Sequence, residues 1–424
     1  MLATPELIQE SSQFHALEHL EPLWRTTPLY RSWLHLYPAP AIDPQSFSKL
    51  PLLGKSELRA RPDFIGSRDQ LDALLRQGRI ELEHTSGTSN DRLPVVFARG
   101  WWNLQEERAL RLNSFVAGIL DEPGEPRRAT LTPPACNGLT CPTPWISREQ
   151  RTVGSTLFVN LARIPFLLGE SEQARMAAEI QQWMPRFLDV DPVHGAWFAL
   201  YCERHGIRLP SLRFIVCSYE FVSTVHRSIL ERVFQVPVFN LYGSTETGHL
   251  LMENERGDMK QSAETAFLEV LEPDAGDIGS LVVTTLSNEY MPLLRYEIGD
   301  LVRKEIQPLA TVYTVHGRIR DLVSAPDGRR LTTWQVDQCF AGLRGFAHYE
   351  FRQNSRADYC LRYIPENQPP TAETLQQLSS RLHTLLGADS AIRLESMSTL
   401  VPAPSGKFRL TRTAEIPSPA LAAV

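Results

Sequence analysis

Between residues 173 and 241 the chain alternates two kinds of segment, and this limits the folds open to it more than any other feature. Gln173–Leu188, Val193–His205 and Ser223–Phe234 carry apolar residues at helical period, whereas Leu212–Cys217 and Val236–Leu241 are short, largely apolar runs. Strands apolar on both faces must be covered on both, and interleaved helices do this by crossing back onto a parallel sheet. The predicted class is α/β. Upstream, Arg79–His84 and Val95–Ala98 read as strands around a polar loop, and Trp101–Leu120 reads as one helix. The first 75 residues read as helical and loop-rich, broken by Pro38, Pro40, Pro44, Pro51 and Pro62.

After Gly248 the rhythm is strand-dominated: Ala266–Leu271, Gly279–Thr285, Leu294–Arg303 and Thr311–Val315. Beyond Arg318 the pattern predicts a small α+β module. It comprises a hairpin around Asp327–Gly328, helices over 333–342 and 372–386, and strands over 346–352, 358–364 and 391–397. The expected division is therefore 1–317 and 318–424, with a boundary near Gly317–Asp321 and a disordered tail after Thr413.

Composition excludes several classes. Hydrophobic residues at 42% and charged residues at 22% describe an ordinary globular chain. A net charge of −6 argues against a nucleic-acid binder that relies on a basic face. The most apolar stretch, Leu157–Leu168, is too short to span a bilayer and contains Arg163, so no membrane partner is expected. Met1–Ser12 lacks the pattern of a secretory signal, and the six cysteines form no Cys-x-x-Cys pair, so the expected compartment is the cytoplasm.

Five short constellations can carry chemistry. Thr85-Ser86-Gly87-Thr88-Ser89 offers hydroxyls and backbone N–H groups that suit a polyphosphate, but it lacks the Gly-Lys-Ser/Thr of a Walker loop. Tyr242-Gly243-Ser244-Thr245-Glu246 follows an apolar strand, where open α/β sheets bind ligands. Asp300, in Ile298-Gly299-Asp300, could accept two ribose hydroxyls. Gly317-Arg318-Ile319-Arg320-Asp321 sits at the expected boundary, a natural hinge. In Pro404-Ser405-Gly406-Lys407 the lysine is notable because only five of the 43 basic residues are lysine. Each constellation alone is also an ordinary turn or loop. His194 and His249 read as structural histidines rather than bases.

In this order, the five resemble the adenylate-forming (acyl-AMP) ligase superfamily, and most closely its short phenylacetate–CoA ligase-like branch, over roughly residues 80–410. Gly276-Asp277-Ile278-Gly279 leading to Thr284, Pro292-Leu293-Leu294-Arg295-Tyr296 before Gly299-Asp300, and the short C-terminal module support that branch. The resemblance implies a large N-terminal α/β domain of layered sheets and a small mobile α+β lid. It also implies ATP, Mg²⁺ and a small carboxylic acid as ligands. The acid is expected to be an aryl acid, activated as acyl-AMP with release of pyrophosphate, then passed to CoA or to the phosphopantetheine thiol of an acyl carrier protein. Thr85, Ser86, Gly87, Thr88 and Ser89 match the phosphate loop. Ser218, Tyr219 and Glu220 match the segment lining adenine and acid. Tyr242, Gly243, Ser244, Thr245 and Glu246 match the adenine and magnesium motif, with Glu246 the Mg²⁺ partner. Asp300 matches the ribose-binding carboxylate, Arg318 its assistant, Arg320 the hinge, and Lys407 the lysine that steadies carboxylate and α-phosphate. Asn137 and Gly138, with Trp145, are expected to line a flat acid pocket.

Three departures from the family pattern stand out. Ser89-Asn90-Asp91-Arg92 replaces the usual Thr-Gly-Lys, leaving Arg92 as the expected substitute cation. Arg320 occupies a hinge position usually held by Asp or Lys, and Glu297 stands where Arg is common. An amide or acyl-protein synthetase using the same adenylate, and an inactive nucleotide-binding sensor, are the alternative readings.

Overall fold

A computed structural model of the chain describes residues 25–31, 47–60, 68–85, 92–133, 147–274, 276–308 and 310–413. Ser86, Gly87, Thr88, Ser89, Asn90, Asp91, Asn137, Gly138, Trp145 and the tail after Thr413 lie outside the described residues.

Helices α1 (Lys55–Ala60) and α2 (Arg68–Arg76) precede the antiparallel pair β1 (Ile80–His84) and β2 (Pro94–Ala98). The expected single helix over 101–120 is two, α3 (Trp101–Leu110) and α4 (Ser114–Leu120). Asn113 separates them: its side chain accepts from Val116 N–H and caps α4, while its amide donates to Glu253 O at 2.9 Å. Strands β3 (Arg128–Leu131), β4 (Thr152–Val153) and β5 (Thr156–Phe158) follow.

The helix expected to reach Leu188 ends earlier. α5 spans Glu170–Trp183, Met184 adopts a left-handed conformation, and Phe187–Val190 form β6, buried along its whole length. Pro185 explains the stop, since its ring clashes with a continuing helix and restricts the residue before it. α6 (Pro192–Arg204), β7 (Phe214–Cys217), α7 (Thr224–Phe234) and β8 (Val238–Ser244) then follow the predicted alternation, with β3, β6, β7 and β8 parallel.

β9 (Gly248–Glu253) turns back antiparallel to β8, and β10 (Met259–Gln261), β11 (Ala266–Leu271), β12 (Ile278–Thr285), β13 (Tyr296–Gln307) and β14 (Ala310–Arg318) complete a 12-stranded sheet. β8 is therefore the seam at which the parallel half meets the antiparallel half.

The C-terminal part begins with the hairpin β15 (Val323–Ser324) and β16 (Arg330–Leu331). The helix expected over 333–342 is only α8 (Thr333–Asp337) followed by a 3-10 turn, Gln338–Phe340. β17 (Phe346–Gln353), β18 (Asp358–Pro365), α9 (Ala372–Leu386), β19 (Ala391–Ser396) and β20 (Thr411–Thr413) form a four-stranded sheet with one flanking helix. One continuous apolar core joins both parts, from Leu188, Val190 and Ile229 to Phe340, Phe346, Leu378 and Phe408. Phe166 packs edge-on to Phe408 at 5.5 Å between ring centres, and His226 Nε2 meets His348 Nδ1 at 3.1 Å across the same junction. Asp337 Oδ2 accepts from Thr224 N–H at 2.8 Å, so a carboxyl of the C-terminal part caps α7.

Candidate active site

The seam strand delivers the first group. At Gly243 the chain passes so close to β9 that a Cβ would overlap the carbonyl oxygen of Gly248, so glycine is required there. Tyr242, one residue before, donates its hydroxyl to Asp300 Oδ2 at 2.7 Å. Asp300 and Arg318 are paired across β13 and β14, and Arg318 Nε lies 3.5 Å from Asp300 Oδ1. Burial pushes the Asp300 carboxyl up, and the opposing pull of Arg318 and the Tyr242 hydroxyl does not fully offset it.

Glu246, in the turn between β8 and β9, is 6% exposed and accepts from Lys55 Nζ at 3.2 Å and from Tyr296 Oη at 3.3 Å. Burial alone would raise this carboxyl. Lys55 beside it, with local backbone and Ser244 hydrogen bonds, outweighs burial and holds it below its ordinary value. Lys55 starts α1, 191 residues from its partner. Arg92, the expected substitute cation, is exposed, whereas Lys55 faces Glu246. The scarcity of lysine that singled out Lys407 marks Lys55 equally.

Ser218, Tyr219 and Glu220 leave the carboxyl end of β7. Tyr219 has φ 73°, a left-handed conformation that is uncommon for a tyrosine and held here from both ends. Its carbonyl accepts from Lys407 Nζ, and its hydroxyl lies 3.2 Å from Asp189 Oδ2. The backbone N–H of Phe408 donates to Glu220 Oε1 at 2.8 Å. Burial and nearby Asp191 push the Glu220 carboxyl well above its ordinary value, with Lys407 and the Phe408 N–H opposing. The lysine loop is braced: Arg163 donates to Pro404 O, and Arg409 Nε donates to Asp321 Oδ1 at 2.6 Å. Tyr219, Glu220, Tyr242, Asp300, Arg318, Arg320 and Lys407 thus line one cavity.

Thr85 is buried at the neck of its loop, where its hydroxyl accepts from Leu93 N–H at 2.9 Å. Thr245 is half-buried beside Glu246, and Glu297 is exposed. His249 is buried against Gln105, and burial pulls its pKa to about 4, with Asp189 opposing, so it is neutral at pH 7. His194 Nδ1 lies 3.1 Å from Asp191 Oδ1. Among the described residues no group of three His, Cys, Asp or Glu could hold a metal by itself. Glu246 offers one buried carboxylate, so a hard cation there would need its other oxygens from a bound ligand or water. No helix among the described residues is long and apolar enough to cross a membrane.

No family model matches the chain. Among curated proteins it is 30% identical to a phenylacetate–coenzyme A ligase of Thermus thermophilus over 35% of this chain and 36% of that one. It is 24% identical to protein CapK of Staphylococcus aureus, over 45% of this chain and 44% of that one. A Pseudomonas putida phenylacetate–coenzyme A ligase is 23% identical over 56% of this chain and 59% of its own. The matches thus span between about a third and three fifths of those relatives. Among solved structures, a 2-hydroxyisobutyryl-CoA ligase in its postadenylation state, with 2-HIB-AMP, aligns over 95% of this chain and 89% of its own. The TM-score is 0.70 at 16% identity. The chain shares the fold of this CoA ligase. An anthranilate CoA ligase, AuaEII, with anthranoyl-AMP shares this fold at TM-score 0.58 and 16% identity, over 77% of this chain and 64% of its own. In this chain the cavity lies past the carboxyl end of β7 and along the C-terminal half of β8, at the seam of the sheet.

Proposed function

We propose that the protein activates a small carboxylic acid with ATP and passes the acyl group to the thiol of CoA. In the first step a carboxylate oxygen bonds to the α-phosphorus, the bond from that phosphorus to the bridging oxygen breaks, and pyrophosphate leaves. In the second, the thiolate attacks the acyl carbon and AMP departs. The carrying observation is convergence: Tyr242, Asp300, Arg318 and Lys407 come from four separate stretches of chain yet face one cavity.

Each group has a matching task. Asp300 is placed to accept ribose hydroxyls, with Arg318 fixing its orientation, and Tyr242 offers a ring face for adenine. Lys407, a compact charge with three donors, suits the acid carboxylate and the α-phosphate together. Thr85 to Ser89 and Lys55 would contact the β- and γ-phosphates, and Glu246 would hold Mg²⁺. When bound, that ion would supply positive charge against the phosphates. Glu220 anchors the backbone beside Lys407 and so sets where the ammonium lies.

We also read residues 318–424 as a separable lid that turns near Arg320 between the two steps, and a carrier-protein pantetheine as a second acceptor the site could serve. The test is Lys407→Ala. It should abolish ATP–pyrophosphate exchange yet retain thiolysis of preformed acyl-AMP. Full exchange in this variant would overturn the assignment of Lys407. Absence of exchange in the wild type with every acid tried would favour the sensor reading.

A further inference from the structure

The wall of the cavity is short of one negative charge. Among the described residues it carries four cations, Arg318, Arg320, Lys407 and Arg409, and three carboxylates, Glu220, Asp300 and Asp321. Three of the cations have a carboxylate to face. Arg318 Nε lies 3.5 Å from Asp300 Oδ1, and Arg409 Nε donates to Asp321 Oδ1 at 2.6 Å. Burial pushes the Glu220 carboxyl up, and Lys407 is the cation that opposes this most. Arg320 is left over. The carboxylate within 4 Å of it, Asp321, is 3.9 Å from its Nε and already held by Arg409.

The backbone of Arg320 is fixed, while its guanidinium is uncommitted. The residue sits in the 3-10 turn Ile319–Asp321, and its carbonyl accepts from Arg409 Nη2 at 3.1 Å. The next carbonyl, that of Asp321, accepts from Thr411 Oγ1 at 2.7 Å. The Arg320 side chain is 58% exposed, lines the cavity, and makes no hydrogen bond to another described residue. Burial of its inner part and the adjoining Arg318 pull its pKa down, with Asp321 opposing, so an added anion would stabilise the charge. A planar fork of N–H donors grips an anion with several oxygens best. Counted out to its mouth, the cavity holds about 960 Å³, as much space as sites for small molecules usually offer.

We propose that Arg320 binds the phosphate chain of the nucleotide directly, and so serves the adenylation step as a cation as well as standing at the boundary of the two parts. A pivot needs no charge, and a carboxylate at this position would repel the phosphates that a guanidinium attracts. The chain also has a use for such a cation: its phosphate loop contains no lysine, and Arg92 is exposed. With Asp300 and Arg318 on the same wall, a nucleotide whose ribose meets Asp300 has Arg320 and Lys407 as the cations of that cavity not paired with an aspartate. The inference rests on the nucleotide-binding reading above.

The test is calorimetric binding of adenosine, AMP and ATP to the full chain, as wild type, Arg320→Ala and Arg320→Lys. Charge-assisted hydrogen bonds to phosphate, screened at a half-exposed site, set the expected size of the effect. Arg320→Ala should weaken ATP about 5- to 30-fold and leave adenosine within about twofold, and Arg320→Lys should recover part of the loss. AMP weakened as much as ATP places the guanidinium at the α-phosphate; AMP unchanged places it at the β- and γ-phosphates. The melting temperature of the unliganded variants should match that of the wild type, because the guanidinium makes no close tie within the chain. A merely structural or pivoting role predicts otherwise. In that case ATP affinity is unchanged, or falls together with that of adenosine, and only thiolysis of preformed acyl-AMP slows; either result overturns the inference and leaves the nucleotide-binding reading standing. If the wild type binds none of the three ligands, the nucleotide-binding reading falls and takes this inference with it.

Discussion

Replacing Lys55 with alanine removes the cation that faces Glu246. At 3.2 Å, two unit charges attract by about 5 kcal/mol at an effective dielectric near 20. The Lys55 side chain is 36% exposed, however, and solvent screening cuts the useful part to about 1–2 kcal/mol. That is roughly a five- to thirtyfold effect. If Lys55 serves the nucleotide phosphates, Lys55→Ala should raise the KM for ATP in pyrophosphate exchange by about that factor. Half-saturation by Mg²⁺ should move the other way, to lower concentration, because Glu246 no longer shares its charge with an ammonium. Lys55→Arg should recover part of the loss. The assay is exchange measured over a grid of ATP and Mg²⁺ concentrations, with thermal melting as a control for folding. An unchanged ATP KM together with an unchanged Mg²⁺ requirement would refute the reasoning and reduce the pair to a structural tie.

Three other outcomes follow from the geometry. Asp300→Asn removes the charge that Arg318 and the Tyr242 hydroxyl address, and should raise the KM for ATP about tenfold or more with less change in kcat, measured by exchange. Phe408→Ala empties the space between Phe166 and His348 and should lower stability by about 3 kcal/mol in denaturant unfolding; a loss under about 1 kcal/mol would mean the junction is loosely packed. Burial pulls the His226 pKa down to about 4, with Asp191 opposing, so below about 6.5 the unfolded chain takes up a proton that the folded chain refuses. The stability advantage of the wild type over His226→Gln should therefore shrink by roughly 3 kcal/mol between pH 6.5 and pH 4, and an advantage constant over that range would contradict it.

What could be read from the chain depended on how local the determining forces are. Ala266–Leu271 and Ala372–Leu386 form just where period alone places a strand and a helix, because their apolar residues face a core along their whole length. Phe187–Val190 was hidden inside a helical pattern, since four apolar-rich residues carry no period of their own. Arg128–Leu131 begins with a charge whose tolerance depends on Glu106, on another element. β20 is three residues, Thr411–Thr413, and exists because β17 offers it an edge. The candidate site divides in the same way. Tyr242, Asp300, Arg318 and Lys407 were visible as short motifs, whereas Lys55, Tyr296 and Asp189 matter through partners distant in sequence.

The apolar core that runs without interruption from Ala129 to Leu410 bears on how such a molecule responds to temperature. A lid that turns during the reaction must separate part of this core, exposing Phe408 and its neighbours to water. Newly wetted apolar surface raises heat capacity, so the separated arrangement would carry a larger heat capacity than the joined one. The balance between the two would then follow a curved line with temperature, and the turnover rate of the proposed reaction would bend away from Arrhenius behaviour wherever separation is the slow step.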